Sequence, residues 1–168
     1  MGAGSPASIE KVAERGYNLL LDQFAPPATI TERIDVFRKA VEARGRVFDA
    51  NEVGVARGLY VAKDAADRDA AIEKRINARR RVDNLAQRPD GGNKASIMSY
   101  DDTIETTAEA AMYGTVDEIA EKIHKMHDSG IRYLLFADGG SGIEGLRTFS
   151  REIIPAFADD GETAEAAE

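Results

Sequence analysis

The segment SPASIEKVAERGYNLLL, residues 5–21, encodes a helix, a turn and a strand in immediate succession. Ser5 is placed to cap a helix that begins at Pro6, where the missing N–H of proline costs no hydrogen bond. Gly16 is a helix-ending residue, and the apolar run Tyr17–Leu21 that follows it is typical of a buried parallel strand. The helix residues predicted to face the core are Ile9, Val12 and Ala13.

The same order of elements repeats along the chain. Thr29 and Glu32 have the spacing of a capping box, and apolar residues at helical intervals follow until Gly45. Further strands are predicted at about 53–62 and 133–136, and further helices at about 65–85, 115–130 and 143–154. Strands that alternate with helices of this length predict βαβ units, so the expected fold class is α/β with a parallel sheet.

The amino-acid composition limits the classes of protein to which this chain can belong. The chain has 168 residues with 43% hydrophobic and 31% charged residues, which suits one domain with a core. We expect that domain to span 1–157, followed by an acidic, disordered tail at 158–168. The net charge of −8 argues against nucleic acid and anionic membranes as partners. The lack of cysteine and of a long apolar stretch favours a cytoplasmic protein without disulfides or a membrane span.

Two glycine-rich turns are candidate phosphate sites. The first is Gly2-Ala3-Gly4-Ser5-Pro6-Ala7-Ser8, where glycines permit close approach and the following helix offers unpaired N–H groups to an anion. The Ser5 hydroxyl has two possible roles there, binding the phosphate or capping the helix. The second turn, Gly139-Gly140-Ser141-Gly142, follows the last predicted strand, and its alternative is an ordinary strand-to-helix loop. Neither turn matches the complete dinucleotide-binding pattern.

Other candidates lie at strand ends and inside a strand. Asp22, Gln23, Phe24 and Asp138 follow strands, where barrel enzymes carry their working side chains, although each also suits a loop. Arg57 lies within an apolar strand and must be paired, either in a structural ion pair or with a cofactor or substrate. No residue is assigned a catalytic role.

Three further features favour ordinary structural interpretations or remain open. The basic cluster Lys74, Arg75, Arg79, Arg80 and Arg81 is interpreted as the solvated face of a helix, balanced by acidic neighbours, rather than a nucleic-acid contact. His124 and His127 lie on adjacent helical turns, but two histidines do not make a metal site, and none is predicted. The segment from Pro89 to about Thr107 lacks periodicity and is a candidate lid.

Three segments together resemble one family, the bacterial-luciferase-like flavin-dependent monooxygenases. They are Gly2-Ala3-Gly4-Ser5-Pro6-Ala7-Ser8-Ile9 leading to Gly16-Tyr17, then Tyr113-Gly114-Thr115-Val116-Asp117-Glu118-Ile119, and Ser150-Arg151-Glu152-Ile153-Ile154-Pro155-Ala156-Phe157. Their order and spacing are similar to the C-terminal half of that family's (β/α)8 barrel, and the likeness extends to about Phe157. The resemblance implies that the predicted strands correspond to the sixth to eighth strands of such a barrel.

The resemblance also implies a cofactor and a reaction. In that family the first turn helps to hold the phosphate of reduced flavin, which makes Gly2, Ala3, Gly4, Ser5 and Ser8 the cofactor-binding positions here. The implied chemistry is oxidation of a small organic substrate by FMN and oxygen, while some relatives use a deazaflavin and transfer hydride.

The number of predicted strands does not decide whether this chain is active by itself. A complete barrel needs about 250 residues, so we expect this chain to encode about half of one. A short open sheet has unpaired edges, which predicts either a homo-oligomer or a missing N-terminal half-barrel as the partner. The alternatives to the enzyme are a non-catalytic half-barrel that self-associates and, more weakly, a flavodoxin-like domain.

Overall fold

Strand β2, Val53–Val61, is the central strand of a parallel sheet in the computed structural model, which describes residues 1–86 and 103–157. It pairs with β1, Leu19–Leu21, through its first three residues and with β3, Met112–Gly114, through its last three. Strand β4, Tyr133–Asp138, pairs with β2 from Gly54 to Leu59. Every one of these pairings is parallel, so the carboxyl ends of the strands share one edge of the sheet.

The helices alternate with the strands. Helix α1, Pro6–Glu14, precedes β1, and α2, Pro27–Glu42, connects β1 to a short 3₁₀ turn before β2. Helix α3, Ala65–Ala86, follows β2. Helices α4, Ile104–Ala110, and α5, Val116–Asp128, flank β3. After β4 come α6, Gly142–Thr148, a π-helical turn, Phe149–Ile153, and a final 3₁₀ turn, Ile154–Phe157. None of the described helices is long and apolar enough to cross a bilayer.

The main core lies between one face of the sheet and the helices that cover it. Successive side chains of a strand point to opposite faces of the sheet, so the odd positions of β2 point to the same side. The core includes these strand residues and the apolar faces of α1, α2 and α5: Leu19, Leu21, Val53, Val55, Leu59, Ile9, Val12, Ile34, Phe37 and Ile119. A second cluster packs α3 against β3 through Ile72, Ile76 and Tyr113.

On the opposite face of the sheet, α3 covers the end that carries Tyr60 and Tyr113, whereas the other end is apolar and open to solvent. Leu20, Tyr133 and Leu135 are 40%, 47% and 36% exposed. Gly54 lies between them, and a side chain there would contact Leu135 Cδ1 at 3.2 Å and Leu20 Cδ1 at 3.5 Å. We refer to Leu20, Gly54, Tyr133 and Leu135 as the open sheet face.

The structure confirms the α/β fold with parallel strands, and it corrects several details. Helix α2 begins at Pro27 with Pro26 as its N-cap, so Thr29 is inside the helix and does not form the predicted capping box. The short strand β3 was not predicted. Helix α4 occupies the end of the candidate lid. The rest of that lid, and the acidic segment 158–168, lie outside the described residues.

Candidate functional site

The first glycine-rich turn lies beside the carboxyl end of β1. The Leu20 N–H donates to the Met1 carbonyl at 2.9 Å, and the Ala3 N–H donates to the Leu20 carbonyl at 3.3 Å. These bonds align Met1–Ala3 parallel to β1, with a bridge between Gly2 and Leu20. A cavity of about 410 Å³ opens between this turn and the end of β1, and its lining includes Gly2, Ala3, Gly4 and Gln23. We call this the turn cavity.

Ser5 caps helix α1, which is one of the two roles predicted for it. Its hydroxyl accepts from the Ser8 N–H at 3.3 Å, and the Ser8 hydroxyl accepts from the Ser5 N–H at 3.1 Å. The Ser5 hydroxyl also donates to Ser8 Oγ at 3.0 Å. This reciprocal capping box fixes the shape of the turn and the start of the helix.

Arg33 places a positive charge against the same turn. An added Cβ at Gly4 would lie 3.5 Å from Arg33 Nη2, which is ordinary contact. The guanidinium is held by the Asp22 carboxylate, with Arg33 Nη1 and Asp22 Oδ2 2.7 Å apart. Gly2 has no atom within 4 Å of the position of an added Cβ, so the cavity is unobstructed there. The ion pair of Arg33 with Asp22 and the N-terminus of α1 therefore both lie beside Gly4, and Gly4 and Asp22 line the turn cavity.

Asp22 organises the turn after β1. Its Oδ1 atom accepts from the N–H groups of Phe24 at 2.8 Å and Ala25 at 2.9 Å. Partial burial alone would raise the pKa of the Asp22 carboxyl, but these hydrogen bonds and Arg33 lower the pKa below its ordinary value. A carboxylate engaged in this way is a poor proton acceptor, so the geometry favours a structural role for Asp22 over that of a general base.

Arg57 supports the same turn from the centre of β2. Its side chain is fully buried, and its guanidinium donates to the carbonyls of Asp22 at 3.0 Å, Ala25 at 3.0 Å and Ala56 at 3.1 Å. The acceptors in these three contacts are backbone carbonyls. These bonds fasten the turn that carries Gln23 and Phe24 to the sheet.

A second cavity, of about 520 Å³, lies between helix α3 and the carboxyl ends of the strands. We call it the helix-side pocket. Its lining includes two of the predicted strand-end residues from the turn after β1, Gln23 and Phe24, and one from the end of β4, Asp138. Gln23 lines both cavities, so they adjoin at this residue.

Arginines of α3 form one wall of the helix-side pocket. The Arg75 guanidinium lies 5.1 Å from the centre of the Phe24 ring and 5.4 Å from that of Tyr113. Arg79 lies 4.9 Å from the Phe24 ring centre, and Arg75 Nη2 donates to the Gln23 carbonyl at 3.2 Å. The interpretation of this cluster as a solvated face is therefore wrong for Arg75 and Arg79, which are half-buried, and holds for Arg80.

Asp138 stabilises the second glycine-rich turn. Its Oδ1 atom accepts from the Gly140 N–H at 3.0 Å and the Gly142 N–H at 3.2 Å. These bonds lower the pKa of the Asp138 carboxyl. Gly140 and Gly142 have φ angles of +110° and +63°, which L side chains rarely adopt. The turn thus has the structure of a strand-to-helix loop, and its role as a phosphate site stays a prediction.

His124 and His127 do not form part of a cluster of metal-binding side chains among the described residues. His124 packs on Phe157 with ring centres 4.5 Å apart, while His127 lies 3.9 Å from Asp128. Within the described residues there is no cluster of three His, Cys, Asp or Glu side chains that would hold a metal ion.

Lys122 is a half-buried cation that was not predicted from the sequence. Lys122 Nζ donates to the carbonyls of Ala108, Ala111 and Tyr113 at 2.8 to 2.9 Å. Burial is the main cause that lowers its pKa to about 8. The lysine ties α5 to α4 and β3. Its only signal in the sequence is a lysine beside the apolar face of a helix, which is also where ordinary surface lysines occur.

Comparison with known proteins gives a consistent result. The family model for luciferase-like monooxygenases matches residues 1–133. Monooxygenase RslO1 from Streptomyces bottropensis is a similar solved structure, with 22% identity and a TM-score of 0.66 over 94% of this chain and 47% of that chain. The oxygenating constituent of 3,6-diketocamphane monooxygenase from Pseudomonas putida, solved with FMN, has 17% identity and a TM-score of 0.63 over 92% of this chain and 46% of that chain.

A third similar structure is an F420-dependent secondary alcohol dehydrogenase in complex with an F420-acetone adduct. It has 20% identity and a TM-score of 0.66, over 92% of this chain and 47% of that chain. The chain thus spans about half the length of these structures, which agrees with the predicted half of a (β/α)8 barrel.

Proposed function

The chain belongs to the luciferase-like monooxygenase family, and on this premise we propose that it is part of a flavin-dependent oxidoreductase that acts on a small organic substrate. The turn cavity is the proposed place for the cofactor phosphate, with Gly2, Ala3, Gly4, Ser5 and Ser8 as the binding positions. Because the chain spans about half of the structures it matches, this activity is proposed for the barrel that a second half completes.

The observation that carries the proposal is the arrangement around Gly4. The Arg33 guanidinium lies against Gly4, and the N-terminus of α1, the positive end of the helix dipole, begins beside the same turn. Both features attract an anion such as a phosphate. Ser5 and Ser8 support the site by fixing the turn, since their hydroxyls hydrogen-bond to one another.

The residues fit FMN, and a bound reduced flavin would supply electrons to molecular oxygen, so that one oxygen atom could enter the substrate while the other leaves as water. The protein's task is then to hold the phosphate, orient the ring system and exclude water. One similar structure contains FMN and another contains F420, a deazaflavin. The deazaflavin-dependent hydride-transfer alternative therefore stays part of the proposal, and the two cofactors can be compared directly.

The test is a titration of the chain with FMN and with riboflavin, which differ in the phosphate alone. If the turn cavity holds the phosphate, FMN binds roughly tenfold tighter or more, the size expected for charge-assisted hydrogen bonds. Equal affinities would refute the assignment of the turn. Ser8→Ala, which opens the capping box, should weaken FMN and leave riboflavin unchanged, while Ser129→Ala at the end of α5 serves as the control. F420 is titrated in parallel.

A second candidate function rests on the open sheet face. Leu20, Tyr133 and Leu135 form an exposed apolar surface on a sheet whose other face is buried. An apolar patch of this kind marks an interaction site. A non-catalytic module would cover it with a second copy of itself, while the enzyme would cover it with the missing N-terminal half-barrel. A stable dimer that binds neither FMN nor F420 would favour the non-catalytic module.

A further inference from the structure

The helix-side pocket concentrates positive charge in a chain that is acidic overall. Its lining carries three cations, Lys74, Arg75 and Arg79, and one carboxylate, Asp138, a net charge of 3 − 1 = +2. The whole chain has a net charge of −8. A local excess of positive charge attracts anions, because a cleft lined by charges of one sign raises the local concentration of ligands of the opposite sign.

The pocket's one carboxylate is already engaged. Asp138 accepts hydrogen bonds from the N–H groups of Gly140 and Gly142. Lys74 and Arg75, by contrast, take part in none of the salt bridges found among the described side chains. Their charges are therefore available to a ligand.

The position of Arg75 is fixed before any ligand arrives. Its guanidinium is held over the Phe24 and Tyr113 rings and by the Gln23 carbonyl. Gly58, on β2 beneath it, makes room, because an added Cβ there would collide with Arg75 Nη1. A guanidinium held in place loses less conformational freedom on binding, so it recognises an anion at lower cost.

The rest of the lining defines the body of the ligand. Rings and small apolar groups dominate it: Phe24, Ala71, Ala78, Val82, Tyr113 and Ala137. Its volume of about 520 Å³ suits an organic molecule, since ligand pockets typically measure about 300 to 1,000 Å³. Cations beside aromatic walls match a molecule with an apolar or aromatic body and one acidic group.

We propose that the helix-side pocket binds the substrate, and that this substrate is an organic carboxylate with an aromatic or alicyclic body. Lys74 and Arg75 bind the carboxylate, while Phe24 and Tyr113 contact the body. The assignment as substrate rests on the proposed function, because the pocket adjoins the turn cavity at Gln23. A molecule bound there lies next to the cavity proposed for the cofactor.

The test compares cinnamate with its neutral analogue, cinnamyl alcohol, by isothermal titration calorimetry on the full chain. Cinnamate should bind roughly tenfold tighter than the alcohol. Lys74→Gln and Arg75→Gln should each weaken cinnamate by roughly fivefold or more and leave the alcohol unchanged. Arg80→Gln is the matched control, since it removes the same charge from the exposed side of the same helix. Lys74 is exposed, so its variant remains informative if Arg75→Gln unfolds.

Equal binding of the acid and the alcohol would overturn the proposal, as would equal effects of Lys74→Gln and Arg80→Gln. FMN is titrated into the same proteins to separate the two assignments. If FMN binds and cinnamate does not, the pocket assignment fails and the flavin proposal stands. If cinnamate binds as expected and FMN does not, the anion pocket stands and the flavin proposal fails.

Discussion

Replacing Asp22 by alanine is expected to lower the free energy of unfolding by about 3 to 4 kcal/mol. The substitution removes the hydrogen bonds that the carboxylate accepts from the N–H groups of Phe24 and Ala25 and from Arg33. At about 1.5 kcal/mol for each bond to a charged group they sum to about 4.5 kcal/mol. The side chains of Arg33 and Asp22 are 14% and 18% exposed, so water replaces part of the loss.

Replacing Asp22 by asparagine keeps the shape of the side chain and removes its negative charge. Its amide oxygen can still accept from the two N–H groups, but the attraction to Arg33 is lost, so we expect a cost of about 1 to 2 kcal/mol. The control is Asp35→Ala, which removes an exposed partner of Arg38 at 3.6 Å and should cost about 0.5 kcal/mol or less. The assay is urea unfolding followed by circular dichroism, with the midpoints compared at constant slope.

The lowered pKa of Asp22 predicts how this stability depends on pH. A carboxyl whose pKa is lower in the folded state contributes stability that is present above the unfolded value, 3.8, and is lost as the pH falls through the folded value. The difference between the wild type and Asp22→Asn should therefore shrink on acidification below about pH 4. The reasoning is refuted if Asp22→Ala and Asp35→Ala cost the same, or if the difference persists in acid.

Three further variants test other contacts. Gly139→Ala should cost about 2 kcal/mol or more in the same unfolding assay, because its Cβ would lie 2.8 Å from the Leu59 carbonyl oxygen and collide with Tyr113; an unchanged midpoint would contradict it. The pKa of about 8 for Lys122 predicts that wild-type stability rises relative to Lys122→Met as the pH increases from about 8 to 10, because the unfolded state then binds more protons; a flat difference would argue against the buried ammonium. Leu135→Asp on the open sheet face should shift light-scattering mass towards the monomer if the chain self-associates through that face, whereas an unchanged oligomer would place the contact elsewhere.

Local sequence signals correctly predicted the helices and strands that are determined by residues close together in the sequence. Helix α1 has its cap, its first-turn proline and its ending glycine within one short segment, and the structure has Ser5 and Gly16 in these roles. Strand β2 was predicted because it is long and apolar. The three-residue strand β3 was missed, since Met112–Gly114 becomes a strand only by pairing with the last residues of β2.

The start of α2 shows two local signals in competition. Thr29 and Glu32 have capping-box spacing, but Pro26 and Pro27 precede them, and proline at the first helical position is equally compatible with a helix start. The structure begins the helix at Pro27. The earlier start adds Pro27, Ala28 and Thr29 to the helix. Of the two competing signals, the proline therefore marks the observed start and the capping box does not.

The basic cluster of α3 illustrates why the candidate site was only partly predictable. When charges are counted along the sequence, acidic residues on the same helix balance the arginines. In the folded chain Asp67 accepts from the Tyr60 hydroxyl, and Asp69 pairs with Arg68. Those carboxylates are thus committed elsewhere, and Arg75 lies over aromatic rings that other parts of the chain supply. The sum of charges along a helix therefore does not give the charge that a pocket presents to a ligand. That charge depends on which side chains are paired in the folded chain. Here Asp67 and Asp69 are paired outside the pocket, and Lys74 and Arg75 line it.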